Sequence, residues 1–216
     1  MAKLVNDIAS FEYDGLIGGC DPAVLTENVT IVSGAGALKR GTVLGKITKG
    51  AITAAAKTAG NTGDGTCETL SLGTEAKVGV YKVACTTAAT EGGTFSVIDP
   101  DGFRLTDATV GTAYTGVINF TLTDGSTDFV VGDEFDITVA AGSGKYKIVN
   151  SVNTDGSQTA KRILAYAVDA TSADVIGTVY QRGMFNRENL IFGGTDTSDD
   201  HEDALKDVDI LLTSEQ

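Results

Sequence analysis

A chain of 216 residues with 29 acidic and 16 basic side chains carries a formal net charge of −13, which disfavours phosphate backbones and predicts no nucleic-acid partner. It has 2 Pro and no Trp, and it contains no apolar run of the roughly 20 residues that a membrane-spanning helix needs. Its Gly, Thr, Val and Asp content favours a mainly β protein without a membrane partner. The length allows one large domain or two smaller ones, and two is our preferred interpretation.

The N-terminal residues 1–28 are apolar in part but show neither helical nor alternating periodicity. An acidic residue and the lack of an uninterrupted apolar core argue against a secretory signal, so we expect synthesis in the cytoplasm. We predict an extended arm that either docks on its own domain or becomes ordered on a partner by strand addition, with an ordinary strand plus loops as the alternative. Its candidate contact residues are apolar: Phe11, Tyr13, Leu16, Ile17, Pro22, Val24 and Leu25.

The next segment, from Val29 to Thr48, predicts two strands around a turn at residues 34–36, arranged like a hairpin. An Ala-rich stretch follows and leads into a glycine-rich loop at residues 60–65. We place a domain junction here, so that residues 29–53 begin one β domain and residue 54 begins another.

Residues 54–141 contain short β-like segments separated by Gly and Asp turns, which is typical of a small sandwich or barrel. Alternation of apolar and polar residues is clearest from Phe120 and from Phe135, where apolar side chains are expected to face a core. The sequence therefore predicts an inserted β-sandwich. Its expected strands are Thr66–Leu72, Val78–Cys85, Thr94–Ile98, Val117–Thr123, Thr127–Val131 and Glu134–Ala140.

Residues 142–216 are predicted to resume the first domain, which is then discontinuous (29–53 and 142–216). Strands are expected at Lys145–Val149, Arg162–Val168 and Val175–Gln181, and a closing strand at Val208–Leu212. A short helix is expected at Asp199–Asp207, capped by Ser198 or Asp199, with Glu202 and Lys206 paired one turn apart.

No residue pattern in the chain predicts an enzyme, a cofactor or a metal. His201 is the sole histidine and is expected to be exposed on the helix, so no Ser-His-Asp arrangement is favoured. The loop at residues 60–65 lacks the Lys of a phosphate loop. The acidic groups Asp99/Asp101/Asp107, Asp124/Asp128/Asp133 and Asp196/Asp199/Asp200 do not follow the EF-hand order, and we expect solvated turn and cap carboxylates with at most weak calcium binding.

The three cysteines, Cys20, Cys67 and Cys85, form an odd set without metal-ligand spacing. We expect free thiols, as is usual for cytosolic proteins. The pattern also allows Cys67 and Cys85 to face each other on neighbouring strands.

Two segments carry a resemblance to a known family. Gly41-Thr-Val-Leu-Gly-Lys-Ile47 and Gly177-Thr-Val-Tyr-Gln-Arg-Gly-Met-Phe-Asn-Arg-Glu-Asn-Leu190 resemble runs in the lambda-type head decoration proteins of tailed bacteriophages. The resemblance covers roughly residues 20–48 and 144–212. The matching positions are Gly41, Thr42, Val43, Leu44, Gly45, Lys46, Ile47, Gly177, Thr178, Val179, Tyr180, Gly183, Phe185, Asn186 and Leu190.

The resemblance implies a structural function. Such a protein forms a homotrimer, binds the major capsid protein on the outer surface of the expanded capsid at three-fold and quasi-three-fold sites, and stabilises the shell against internal DNA pressure. Its N-terminal arm becomes ordered against the shell. Synthesis would take place in the host cytoplasm, and the final location would be the virion.

The stretch 54–141 lies outside that resemblance and is similar to the Ig-like β modules of phage structural proteins, through residues 92–102 and 127–135. It is expected to stabilise the particle or to make weak contacts with cell surfaces or glycans. Two other functions stay open at this stage: a phage tail or baseplate β protein, and a surface adhesin-like β protein.

Overall fold

The computed structural model describes residues 15–57 and 59–214. Two predicted arm residues, Phe11 and Tyr13, lie outside this range. Within it the protein is mainly β, as the sequence predicts, and no helix there is both long and apolar enough to cross a membrane.

Besides a short 3-10 helix at Arg187–Asn189 and the connecting loops, the described residues form seventeen strands and one α-helix. In chain order they are β1 (Ile17–Gly19), β2 (Leu25–Ile31), β3 (Gly36–Leu38), β4 (Val43–Lys46), β5 (Lys49–Ala56), β6 (Thr66–Leu72), β7 (Gly79–Ala89), β8 (Gly92–Ile98), β9 (Ala108–Thr109), β10 (Ala113–Tyr114), β11 (Ile118–Thr123), β12 (Glu134–Ala141), β13 (Tyr146–Ile148), β14 (Ala160–Leu164), β15 (Val168–Ala170), β16 (Val175–Asn186), α1 (Ser198–Lys206) and β17 (Ile210–Thr213).

Five strands form a closed barrel in the order β2–β16–β14–β4–β13 and back to β2. The closing pair, β13 and β2, is parallel, and the other pairs are antiparallel. Strands β1 and β17 extend the sheet from β16, while β3 and β15 form a separate two-stranded ribbon. Two clusters of buried side chains fill this domain, centred on Phe185 and Leu44.

The predicted hairpin at the start of the barrel is wrong. Strand β2 pairs with β16 over seven positions, from Leu25↔Arg182 to Ile31↔Val175, and has no ladder with β4. The short β3, between them in the chain, pairs with β15. Because closing a barrel needs partners far apart in the sequence, the local turn at residues 34–36 does not decide which strand β2 joins.

The insert consists of two sheets around one core. The order is β5–β12–β7–β8–β9 in the larger sheet and β10–β11–β6 in the smaller one. The alternation predicted for β11 and β12 is confirmed, since Ile118, Phe120 and Leu122 are buried, as are their counterparts in β12. Phe95 packs edge-on against Phe129 at a ring-centroid distance of 5.1 Å. Aromatic packing of this kind adds to the burial of apolar area in stabilising the core of the insert.

The two connections between barrel and insert run side by side. The Gly142 N–H donates to the Thr48 carbonyl oxygen at 2.9 Å, and the Ile47 N–H donates to the Lys145 carbonyl oxygen at 2.8 Å. Strand β5, which spans the predicted junction at 53/54, lies wholly in the sheet of the insert. The chain therefore leaves and re-enters the barrel at neighbouring points.

The expected strand Thr127–Val131 is wrong, because this segment is a loop. The carboxylate of Asp133 accepts hydrogen bonds from the backbone N–H groups of Thr62, Gly63 and Val130 at 2.8–3.0 Å. Those bonds hold the N–H of Val130 away from any ladder. A side chain thus competes with sheet formation for the backbone donors.

Cysteine placement differs in part from the prediction. All three thiols are free, as expected. Cys67 lies on β6 and Cys85 on β7, which belong to different sheets, so the two are not on neighbouring strands. Burial raises the pKa of Cys67 to about 12, so this thiol stays protonated and packs as an apolar group.

Candidate functional site

The start of the described chain is fixed at Gly15 by two asparagine side chains. Asn186 is buried and donates its Nδ2–H to the Gly15 carbonyl oxygen, and Asn189 donates to the same oxygen at 3.1 Å. The Asn186 backbone N–H also donates to the Leu16 carbonyl oxygen at 3.0 Å. We call Gly15, Leu16, Asn186 and Asn189 the N-terminal anchor.

The predicted arm residues differ in where they lie. Leu16 is buried in the barrel core, and Ile17 pairs with Phe185 in the ladder between β1 and β16. Pro22 and Val24 are half-buried, and Leu25 is exposed at the start of β2. Residues 16–19 therefore dock on their own domain. A capsid-binding role for the seven predicted residues stays a prediction.

The first family motif forms β4 and its entry. Val43 and Leu44 are fully buried in the barrel, and Lys46 is exposed. Gly41 has φ +85°, and a Cβ there would lie 2.6 Å from the Asn189 carbonyl oxygen. A Cβ on Gly45 would lie 2.0 Å from the Ser157 carbonyl oxygen. Only glycine fits these two positions. The close approach of the neighbouring backbone therefore explains why the motif has glycine there.

The second motif forms β16 and supports both the barrel and the anchor. Val179 and Phe185 are fully buried, and the Tyr180 ring packs at a tilt of 48° against that of Phe185, with ring centroids 5.0 Å apart. Arg40 donates to the Tyr180 hydroxyl oxygen at 3.1 Å. Asn186 is the motif position that holds Gly15. The motif positions selected from the sequence are thus mostly barrel-forming. Asn189 lies within the second motif but was not among the selected positions, and Gly15 lies outside both motifs.

The anchor and the insert lie at opposite ends of β4. Leu16 Cδ1 would be 3.5 Å from a Cβ on Gly41, before β4 begins, whereas the insert starts just after Thr48. Seven residues of extended chain separate those points, a distance of about 20 Å at the usual rise per residue. The N-terminal end of the described chain, at Leu16, consequently lies beside the entry to β4 and not beside its connection to the insert.

His201 is buried, so its predicted exposure is wrong. Its ring stacks on Phe192 with centroids 5.4 Å apart, and its Nε2 lies 2.8 Å from Asp196 Oδ2. Ser151 Oγ donates to the other oxygen, Asp196 Oδ1, at 2.7 Å. The carboxylate lies between the hydroxyl and the imidazole, so His201 cannot take a proton from Ser151 as the base of a triad does. The group instead ties the loop at residue 151 to α1.

The helix α1 begins one residue earlier than predicted. Its N-cap is Thr197, whose backbone N–H donates to the Asp200 carboxylate at 2.7 Å. This bond and that from the Thr197 hydroxyl hold the pKa of Asp200 below its usual range. The predicted pairing of Glu202 with Lys206 is confirmed at 3.1 Å.

Two of the turn carboxylates are buried and not solvated as predicted. Asp133 is fully buried, and although burial alone raises its pKa, the backbone N–H donors from Gly63, Thr62 and Val130 outweigh that effect and lower it. Lys77 lies 2.7 Å from buried Asp99 and lowers the pKa of that carboxyl. Among residues 15–57 and 59–214, no three His, Cys, Asp or Glu side chains are grouped to hold a metal ion. These carboxylates organise loops of the insert.

A closed barrel whose sequence motifs shape its wall and hold Gly15, with a two-sheet insert, defines the class of the fold as a β-barrel protein with an inserted β domain. The family model for the bacteriophage lambda head decoration protein D matches residues 8–211, and the chain belongs to this family. The family is structural and non-enzymatic, and membership supports a role in decorating the phage capsid and a place on the virion.

Other comparisons add little. No curated protein matches the chain. Two crystal structures of FlgL from Xanthomonas campestris are similar at 22% and 23% identity, each over 49% of this chain, with a TM-score of 0.33. The alignments span about a third of those chains, 34% and 33%. Likeness at this level carries no argument about fold or function.

Proposed function

We propose that the protein binds the outside of the expanded capsid as a homotrimer at three-fold and quasi-three-fold sites and stabilises the shell against the pressure of the packaged DNA. Its partner is the major capsid protein, and residues 1–14 make the first contact. The observation that carries this proposal is the N-terminal anchor, which holds Gly15 at a defined point on the barrel.

Anchoring at Gly15 favours binding by the preceding residues because it fixes where they start. A segment that leaves a rigid barrel at one point loses less freedom on binding than one attached through a mobile linker. In a trimer three such segments act together, so weak contacts combine through effective concentration. The apolar residues Phe11 and Tyr13 are the contact residues of this proposal.

The position of the insert supports an outward orientation. Because the insert is attached at the other end of β4, binding through residues 1–14 directs it away from the shell. In this proposal the insert is an Ig-like module on the outer face of the particle. Its two sheets around a common core support that assignment.

The decisive experiment removes residues 1–14 and no more. A cut at residue 25 would also remove Leu16, a buried core residue, and would confuse loss of binding with loss of the fold. The truncated and full-length proteins are compared by size-exclusion chromatography with light scattering and by co-sedimentation with expanded capsids. We expect an unchanged trimer mass and melting temperature together with lost co-sedimentation.

Point variants test whether particular side chains in residues 1–14 make the contact, since a truncation removes the whole segment. The double variant F11A/Y13A is expected to weaken capsid binding by about tenfold or more, as for buried aromatic anchors of interfaces. The matched control is Val131→Ala, which shortens an exposed apolar side chain in the insert. Equal capsid binding by the truncation and the wild type would overturn the arm model, and a monomer that binds capsids singly would overturn the trimer.

A further inference from the structure

A cationic groove lies where the barrel meets the insert. A cavity of about 650 Å³ is lined by residues of β4, β13 and β14 on one side and by Ala76 and Val78 of the insert on the other. It adjoins a second cavity of about 410 Å³, and the two share Arg162 and Val208. Together they are large enough for a ligand of several chemical groups.

The charge of this groove is opposite to that of the molecule. Its lining contains one acidic side chain, Asp209, and five basic ones, in a chain where acidic residues outnumber basic residues by 29 to 16. The basic residues are Lys46, Lys49, Lys161, Arg162 and Arg182. The excess of basic residues in the groove therefore does not follow from the overall composition of the chain, which is acidic.

Three of these cations lack a compensating group. In the part of the chain that the structure describes, the side-chain nitrogens of Lys46 and Lys161 have no hydrogen bond or ion pair. The Nε of Arg182 is buried without a hydrogen-bond partner. An unpaired buried donor costs free energy, so Arg182 has hydrogen-bonding capacity that the fold leaves unused.

The other two cations are already held in place. Arg162 is paired with Glu27, and the buried Lys49 donates to the Thr74 carbonyl oxygen at 2.6 Å. Asp155 and Glu75 lie within electrostatic reach of Lys49, but Asp155 is itself paired with Lys147 at 2.8 Å. Asp209 lines the second cavity beside Arg182, and no carboxylate is paired with Lys46 or Lys161 among the described residues.

Uncharged groups in the lining narrow the class of ligand. The lining also contains hydroxyl and amide side chains, and the half-exposed Val78 supplies an apolar surface; the polar residues are Thr48, Gln158, Thr159 and Gln181. Hydroxyl and amide groups both donate and accept, which suits a ligand rich in hydroxyls. We propose that this groove binds an acidic oligosaccharide, with its carboxylates on Lys46, Lys161 and Arg182 and its hydroxyls on the neutral polar side chains.

The groove runs from Lys46 on β4 to Arg182 on β16, which precedes the anchor residue Asn186 by four residues, a distance of about 13 Å along the strand. The inference does not depend on capsid binding, since it concerns the isolated protein.

The test measures binding of trigalacturonate to the full-length protein by isothermal titration calorimetry at about 0.1 M salt, where repulsion by distant acidic residues is largely screened. Neutral galactotriose and inorganic tripolyphosphate serve as the other probes. We expect binding of trigalacturonate that is at least about tenfold tighter than that of either probe and that weakens as salt increases.

Variants assign the binding to the groove. Lys161→Ala is expected to weaken trigalacturonate binding by about tenfold, the size of one charge-assisted hydrogen bond, and K46A/K161A by more. The matched control is Lys39→Ala, which removes an exposed lysine outside the groove and is expected to change nothing. Since the Lys46 and Lys161 nitrogens hold no partner in the fold, melting temperatures should not change.

Each other outcome overturns the proposal. Absence of trigalacturonate binding excludes the site. Equal binding of tripolyphosphate means that the groove captures anions without recognising a sugar. Equal weakening by Lys39→Ala means that binding follows overall charge and not this groove.

Discussion

The barrel and the insert of this protein are held together in different ways. The barrel joins strands about 150 residues apart, as in the ladder between β2 and β16, and its wall contains glycines at which no side chain fits. The insert is continuous from β5 to β12 and packs around large aromatic side chains such as Phe95. A discontinuous domain can tolerate a large insertion when, as here, the two connecting segments are hydrogen-bonded neighbours.

The strongest test of this difference is to remove the insert. Replacing residues 49–141 by a short Gly-Ser linker should leave the barrel folded, because Thr48 and Gly142 are already in contact. We expect β-type circular dichroism and a cooperative melt from the shortened chain, and a second cooperative melt from residues 49–141 expressed alone. Failure of either part to fold would show that the two regions depend on each other.

Within the insert, Phe95→Ala should have the next largest effect. Phe95 is fully buried against Phe129 and Phe135, and truncation of such a side chain costs about 3–5 kcal/mol. Hydrogen exchange should report loss of protection in the insert with little change in the barrel. Phe103, which is 65% exposed, provides the control, since Phe103→Ala should stay within about 0.5 kcal/mol of the wild type.

Acid should act on the insert through Asp133. The pKa of this carboxyl is lowered in the folded state, so its contribution to stability is complete above the unfolded value near 4 and is lost as pH falls through the lower folded pKa. Asp133→Asn should destabilise the insert by about 1.5–3 kcal/mol at pH 7 and flatten this acid dependence. Urea titrations at pH 7 and pH 3 measure it, and an unchanged difference between those pH values would contradict the assignment.

The smallest expected effect concerns the barrel. Asn186→Ala removes one of the two amide donors on the Gly15 carbonyl oxygen, and Asn189 keeps the other, so the loss should be about 1 kcal/mol. Exchange should speed up at residues 15–19 more than elsewhere. Asn28→Ala, on the exposed side of β2, is the matched control, and equal changes in both variants would mean that the anchor is not local.

The N-terminal anchor could be predicted only in part from the two family motifs. The sequence identified Asn186 through its motif, but its partner Gly15 and the second donor, Asn189, depend on the chain returning from the far end of β16. The basic groove was likewise hidden, because Lys46, Lys161 and Arg182 come from three strands that only the barrel brings together. Lys46 does lie within the first motif and Arg182 within the second, which were the available signals.

Local patterns by themselves determined the mainly β class, the strands with clear alternation such as β11 and β12, and the helix near the C-terminus. These depend on side-chain periodicity and capping between residues close in the chain. Only the tertiary structure decided that β2 joins β16, that Asp133 turns residues 127–131 into a loop, and that His201 is buried on Asp196. In each of these cases the stabilising interaction is made with a residue or strand distant in sequence. The local pattern of residues does not indicate which partner that is.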